Sequence, residues 1–262
     1  MGLFDGVLIA SDWDGTLFYK KMMPEKTQAA INYFMSEGGR FAITSGRAPD
    51  YLLENQHLIK PNTYCICFGG ALICDVGSGE ILRKGGLDNG VFGAVDEILA
   101  SGLNVVKINV FGINGIKQYT LDEYAEFGKK EALATEKYKV TLNCPSAAEG
   151  DKLKAFCETL DYPQYTFARS FATYLEIMQT EYTKGISANI LKEKLGARVL
   201  VGMGDYENDI PLFEKCDLSF AVANATDRLK NMATYVTKAA VWESAAAEVI
   251  EALEKMILEG EI

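Results

Sequence analysis

The chain has 262 residues, 48% hydrophobic and 24% charged, the balance of an ordinary globular protein with room for a mid-sized core and a large insertion. Acidic residues outnumber basic ones 36 to 26, and the resulting net charge of −10, with no lysine- or arginine-rich run, argues against a nucleic-acid partner. No stretch reaches the roughly 18–20 apolar residues of a membrane span, and the opening MGLFDG has neither the basic region of a signal peptide nor the Ser or Thr of a myristoylation site, so no membrane association and a cytoplasmic location are expected.

Val7 to Ala10 is a short apolar run of the kind that forms a buried strand. Asp12-Trp13-Asp14-Gly15-Thr16-Leu17 follows at once. Ligands of open parallel sheets bind beyond the carboxyl ends of strands, so both carboxylates fall where a site belongs. Alternate residues of an extended segment point the same way, which lets Asp12 and Asp14 approach one ligand. An acidic turn is the plainer reading of this segment alone, but two carboxylates so close repel, and a cation best accounts for them. Pro24 then opens a helix through about Ser36 that Gly38-Gly39 closes.

Phe41 to Thr44 reads as the second strand and Pro49 as the first turn of the next helix. Between them lies Thr44-Ser45-Gly46-Arg47. A strand, a hydroxyl, a glycine and a helix start together make a phosphate cradle, although in isolation a plain helix cap is the stronger reading of the segment. Tyr64 to Phe68 is a third strand. From Ile81 to about Leu175 the texture changes. Strand-like segments (Asn104 to Val110, Lys117 to Thr120, Lys137 to Leu142, Tyr174 to Met178) alternate with helical ones near Asp88–Ser101, Asp122–Leu133 and Glu149–Leu160, as in an α+β unit with a mainly antiparallel sheet.

The first pattern resumes near Tyr182. Lys184 stands at the start of a helix reaching Leu195, where a cation opposes the helix dipole. Val199 to Gly202 is a strand that leads into Gly204-Asp205-Tyr206-Glu207-Asn208-Asp209, with Asp205 placed at the strand end as Asp12 is. Pro211 starts a helix, Ser219 to Val222 and Tyr235 to Thr237 are later strands, and Glu243 to Leu258 is an amphipathic closing helix. This alternation predicts an α/β fold: a doubly wound parallel-sheet, Rossmann-like core formed by residues 1–80 and 180–262, interrupted by an α+β domain at 81–179. The six cysteines form no CxxC pair and read as reduced core residues. His57, the single histidine, lies in a polar stretch before Pro61, so carboxylates and a metal are the expected chemistry rather than a histidine-based triad.

In order and spacing, DWDGTL, TSGR, the lysine of YTKG and GDYEND resemble the four motifs of the haloacid dehalogenase-like hydrolase superfamily, and more narrowly its Cof-like sugar-phosphatase branch. AVANATDRLKNMATYVT resembles that branch too, with Asn224-Ala225 at its usual "NA" step. Gly69 stands where the branch commonly has asparagine, Val222-Ala223 replaces methionine-glycine, and a glycine is missing near Trp242–Ala246. The resemblance implies a phosphoric monoester hydrolase in which Asp12 forms an aspartyl-phosphate and Asp14 acts as general acid and then base. It implies Mg²⁺ held by the Asp12 and Asp205 carboxylates and the Asp14 carbonyl, and phosphate held by Ser45, Gly46, Lys184, Asn208 and the backbone at Trp13. Asp209 would orient Lys184 or a metal-bound water, and Arg47 would face substrate or form a structural ion pair.

The inserted domain resembles the type-two cap of that superfamily, which implies a small phosphorylated metabolite as partner, with Asn109, Tyr119 and Tyr174 as candidate cap contacts. Monomer and homodimer are both compatible with the sequence. A phosphosugar mutase or other phosphotransferase would use the same intermediate, and a non-catalytic regulator or a receiver-like fold is a more distant alternative.

Overall fold

The computed structural model of the protein describes residues 2–262, and the chain divides into two compact units: the residues up to Leu82 together with Lys184–Ile262, and Arg83–Thr183. Along the chain the strands are β1 (Val7–Ser11), β2 (Arg40–Ile43), β3 (Cys65–Cys67), β4 (Leu72–Cys74), β5 (Ile81–Lys84), β6 (Lys107–Gly112), β7 (Gly115–Tyr119), β8 (Lys139–Asn143), β9 (Tyr165–Phe171), β10 (Tyr174–Gln179), β11 (Val199–Gly204), β12 (Leu218–Ala221) and β13 (Tyr235–Val236). The first unit is built on a parallel sheet in the order β13-β12-β11-β1-β2.

All five residues of β1 are buried, because this strand is sandwiched between β11 and β2 and both its faces are covered. Leu8 and Ala10 meet Ala188 and Leu191 of the helix Lys184–Leu195 in one apolar cluster. Helix Glu25–Ser36 packs against the closing helix Ala245–Glu259, whose Val249, Leu253 and Met256 recur at helical spacing on its buried side. The expected third strand pairs differently from its neighbours. β3 belongs to a small sheet with β4 and β5, and among the described residues an isolated parallel bridge, Thr44 to Ile66, ties it to the end of β2.

The second unit is an antiparallel sheet in the order β7-β6-β8-β10-β9. One face packs Ile108, Val110, Val140, Leu142, Leu175 and Ile177 against the helices Val91–Ala100 and Ala147–Cys157. Two features depart from the sequence expectation. β9 lies outside the predicted strands: it is an edge strand whose Ala168, Arg169 and Ser170 are poor strand formers, held by pairing with β10 rather than by local preference. The predicted helix at Asp122–Leu133 is broken by a π-helical stretch at Tyr124–Gly128, and Tyr124, Gly128 and Ala132 are buried. Among the described residues no helix is long and apolar enough to cross a membrane.

Candidate active site

The chain leaves β1 at Asp12, whose N–H donates to the Met203 carbonyl at 2.9 Å and so prolongs the β1–β11 ladder by one residue. It then turns sharply. The Trp13 carbonyl accepts the N–H groups of Leu17 and Phe18 at 3.0 and 2.9 Å, and the buried Trp13 ring stacks on Phe18 at 5.2 Å. Gly15 is in the left-handed region at φ +87°, and a Cβ there would overlap the Asp205 carboxylate. The turn is clamped from the C-terminal side. Asn224 donates through Nδ2 to the Gly15 carbonyl and accepts the Val241 N–H on Oδ1, each at 2.8 Å.

Lys184, Asp205 and Asp209 meet Asp12 beyond the ends of β1 and β11. Lys184 Nζ donates to Asp12 Oδ1 at 2.5 Å and to Asp209 Oδ1 at 2.6 Å. Asp209 Oδ2 in turn accepts the N–H groups of Asp205 and Tyr206 at 3.0 and 3.3 Å, so this fully buried carboxylate is satisfied from three directions. The Thr16 hydroxyl donates to Asp205 Oδ1 at 3.4 Å. Carboxylate oxygens of Asp12, Asp205 and Asp209 all lie within 4.8 Å of one another.

The electrostatics follow from burial. Desolvation pushes the Asp12 carboxyl up to about 7, with Lys184 pulling the other way, and it raises Asp205 well above the usual carboxylate range with help from the charges of Asp12 and Asp209. Burial alone would depress the Lys184 ammonium, but Asp12 and Asp209 outweigh it and hold it above the ordinary lysine value. Three carboxylates against one ammonium leave a formal charge of −2, which is the charge that one divalent cation cancels. The donors are hard carboxylate oxygens, with no thiol or imidazole in the cluster, a set that suits Mg²⁺ better than a softer metal.

The other sequence candidates are placed as follows. Asp14 does not join the carboxylate cluster through its side chain; Arg47 grips it with two hydrogen bonds, Nε to Oδ2 at 2.8 Å and Nη2 to Oδ1 at 2.9 Å, and stacks its guanidinium 4.4 Å from the Tyr51 ring centroid. Ser45 is buried, and its Oγ accepts the Arg47 N–H at 3.1 Å. Gly46 follows it in the same loop, and Asn208 is half-buried in the 3₁₀ turn Glu207–Asp209.

The departure at Gly69 has a conformational explanation: the residue sits at φ +72°, a region that glycine and asparagine adopt readily, and its N–H donates to the Ser45 carbonyl at 2.9 Å. Tyr119 packs in the apolar core of the second unit with its hydroxyl on Glu131, so it is not a surface contact; Asn109 lies on the opposite face of that sheet. Thr16 and Tyr51 were not singled out by the sequence. The hydroxyl directly after Gly15 was a usable signal for the first, whereas nothing marked the second.

A family model described as haloacid dehalogenase-like hydrolase matches residues 9–250. The provisionally named phosphatase MG265 of Mycoplasma genitalium is 26% identical over 88% of this chain and 92% of its own length. A phosphoglycolate phosphatase of Methanothermobacter thermautotrophicus is 25% identical over 73% of this chain and 80% of its own length. Among solved structures, a haloacid dehalogenase-like hydrolase from B. subtilis superposes with a TM-score of 0.77 at 18% identity, covering 93% of this chain and 98% of that one. The subclass IIB sugar phosphatase BT4131 superposes with a TM-score of 0.74 at 18% identity, covering 94% and 98%.

Proposed function

The chain belongs to the haloacid dehalogenase-like hydrolase family, in its Cof-like branch, and we propose that it is a Mg²⁺-dependent, cytoplasmic phosphatase of small phosphate monoesters, sugar phosphates foremost, working through an aspartyl-phosphate on Asp12. One observation carries this reading: Asp12 is ion-paired to a buried lysine within 4.8 Å of two further carboxylates, at the carboxyl edge of a parallel sheet. Asp12 attacks phosphorus and the ester oxygen departs. Asp14 gives that oxygen a proton and next removes one from the water that attacks the phosphorylated Asp12; inorganic phosphate leaves and both carboxyls return to their starting state.

Lys184, Ser45, Asn208 and the backbone at Gly46 hold the phosphoryl oxygens, and Lys184 supplies positive charge where negative charge builds up. Asp209 fixes Lys184 and the Asp205 loop. Because Arg47 occupies both Asp14 oxygens, Asp14 must exchange that partner for substrate before it can deliver a proton. Mg²⁺, held by Asp12, Asp205 and the Asp14 carbonyl, supplies Lewis-acid neutralisation of the phosphate charge when bound.

The Arg83–Thr183 unit acts as the cap that selects substrates. The names of the relatives, phosphoglycolate phosphatase and sugar phosphatase, support a small phosphorylated metabolite as the partner. The test is phosphate release from a panel of sugar phosphates, phosphoglycolate, nucleotides and p-nitrophenyl phosphate, with and without Mg²⁺. Mg²⁺-dependent release supports the reading. Conversion of a sugar phosphate to its isomer without release identifies a mutase instead, and no reaction with any ester refutes the phosphatase.

A further inference from the structure

Three consecutive residues after β3 lie on the positive-φ side of the backbone map: Phe68 at +51°, Gly69 at +72° and Gly70 at +121°. Glycine takes up such angles freely, but a phenylalanine does so only where its surroundings hold it there, and strain of this kind gathers at functional sites. All three residues are buried. The turn they form is gripped from two sides. On the first, the Phe68 N–H donates to the Arg47 carbonyl at 3.0 Å and the Gly69 N–H to the Ser45 carbonyl at 2.9 Å, while the Ser45 N–H donates to the Ile66 carbonyl at 2.8 Å. The loop Ser45–Arg47 therefore hangs on this turn and on β3 before it.

On the second side, the Gly70 carbonyl accepts the Ser187 hydroxyl at 2.7 Å. Ser187 is 0% exposed and stands three residues after Lys184, so both belong to the buried face of the helix Lys184–Leu195. Serine is a weak helix former, and inside a helix its hydroxyl commonly turns back onto a carbonyl of the preceding turn. Here it reaches outward to another segment. The helix start that carries it is itself firmly seated: a Cβ on Gly185 would overlap the Pro211 carbonyl. A trans peptide is planar, with its C=O and N–H opposed. Once Gly69 holds the Ser45 carbonyl, the Gly46 N–H is aimed the other way and the Ser45 side chain is fixed beside it.

We propose that Ser187 is a positioning residue for the phosphate loop: through Gly70 and Gly69 it sets the Ser45 hydroxyl and the Gly46 N–H in register with the Lys184 ammonium, so that phosphoryl oxygens meet both sides of the site at once. This inference rests on the phosphatase reading.

The test is a pair of double-mutant cycles read as kcat/KM for p-nitrophenyl phosphate with Mg²⁺. Ser187→Ala should lower kcat/KM about 3- to 10-fold, the net contribution of one neutral hydrogen bond, and raise the inhibition constant of inorganic phosphate in parallel. In a Ser45→Ala background the same substitution should cost no more than about twofold, since its effect runs through that loop. In an Asn208→Ala background, where the altered residue lies on a different loop, it should keep its full cost. Ser187→Thr, which retains the hydroxyl, should recover most of the rate. Ser187→Cys fills the same space with a weak donor and should behave as alanine does, and it carries the test if Ser187→Ala does not fold. An undiminished cost of Ser187→Ala in the Ser45→Ala background, or parental kinetics in both the alanine and cysteine variants, overturns the proposal while leaving the phosphatase standing. If the unmutated protein releases phosphate from no ester, the phosphatase reading falls and this inference falls with it.

Discussion

Replacing Lys184 with methionine keeps the length of the side chain and removes its charge. Lys184 is 1% exposed and bonds Asp12 and Asp209 at 2.5 and 2.6 Å. Without it, three carboxylates crowd the site with no ammonium among them. Breaking a buried ion pair by removing one partner costs about 3–5 kcal/mol, because the surviving charges stay desolvated. For a unit of this size each kcal/mol lowers Tm by roughly 2–4 °C, so the metal-free variant should melt about 6–20 °C below the parent. Mg²⁺ should restore more stability to the variant than it adds to the parent, since the competing ammonium is gone; at a concentration a hundredfold above Kd the gain is about 2.7 kcal/mol. Turnover should fall by about 10²–10³ through loss of an electrostatic donor. Thermal melts by circular dichroism with and without MgCl₂, and p-nitrophenyl phosphate hydrolysis, measure all three. A variant that melts with the parent in chelator, or that turns over at the parental rate, would refute the coupling of stability and catalysis through this lysine.

Gly15→Ala forces a side chain into a positive-φ position and against Asp205, and should cost about 1–3 kcal/mol along with most of the activity; a parental melt would contradict the tight approach. Asn224→Ala removes both bonds of the clamp between the Gly15 carbonyl and the Val241 amide, which should lower Tm and turnover together, and a change in neither would show the clamp to be dispensable. Burial pushes the Cys65 and Cys157 thiols up to about 12, so they remain protonated at pH 8. Iodoacetamide should therefore spare both in the folded protein and label them after denaturation; equal labelling in the two states would contradict their burial.

The parallel core was legible because its strands are short apolar runs separated by helices with proline or glycine at their ends, and buried parallel strands carry that signature. The carboxylates of the candidate site were legible for a related reason. Asp12 and Asp205 follow such runs directly, and the sheet brings their strands β1 and β11 side by side. What stayed hidden depends on partners distant in sequence. β9 owes its conformation to β10, and the grip of Arg47 on Asp14 spans 33 residues. In β8 the alternation of Lys139, Thr141 and Asn143 with Val140 and Leu142 marked a strand, but alternation predicts a solvated polar face, and Lys139 and Thr141 are buried. The π-helical stretch at Tyr124–Gly128 is hidden for a similar reason: helical spacing cannot register one extra residue in a turn.

The proposed nucleophile, Asp12, can be tested directly. The protein is mixed with p-nitrophenyl phosphate and Mg²⁺, quenched, treated with borohydride and digested, and the peptides are read by mass spectrometry; an aspartyl-phosphate is reduced to homoserine at the residue that carried it. Conversion is expected at Asp12 alone and should vanish in Asp12→Asn, which should remain folded and release no phosphate. Homoserine at Asp14, Asp205 or Asp209 instead, or phosphate release by a folded Asp12→Asn protein, would contradict the assignment.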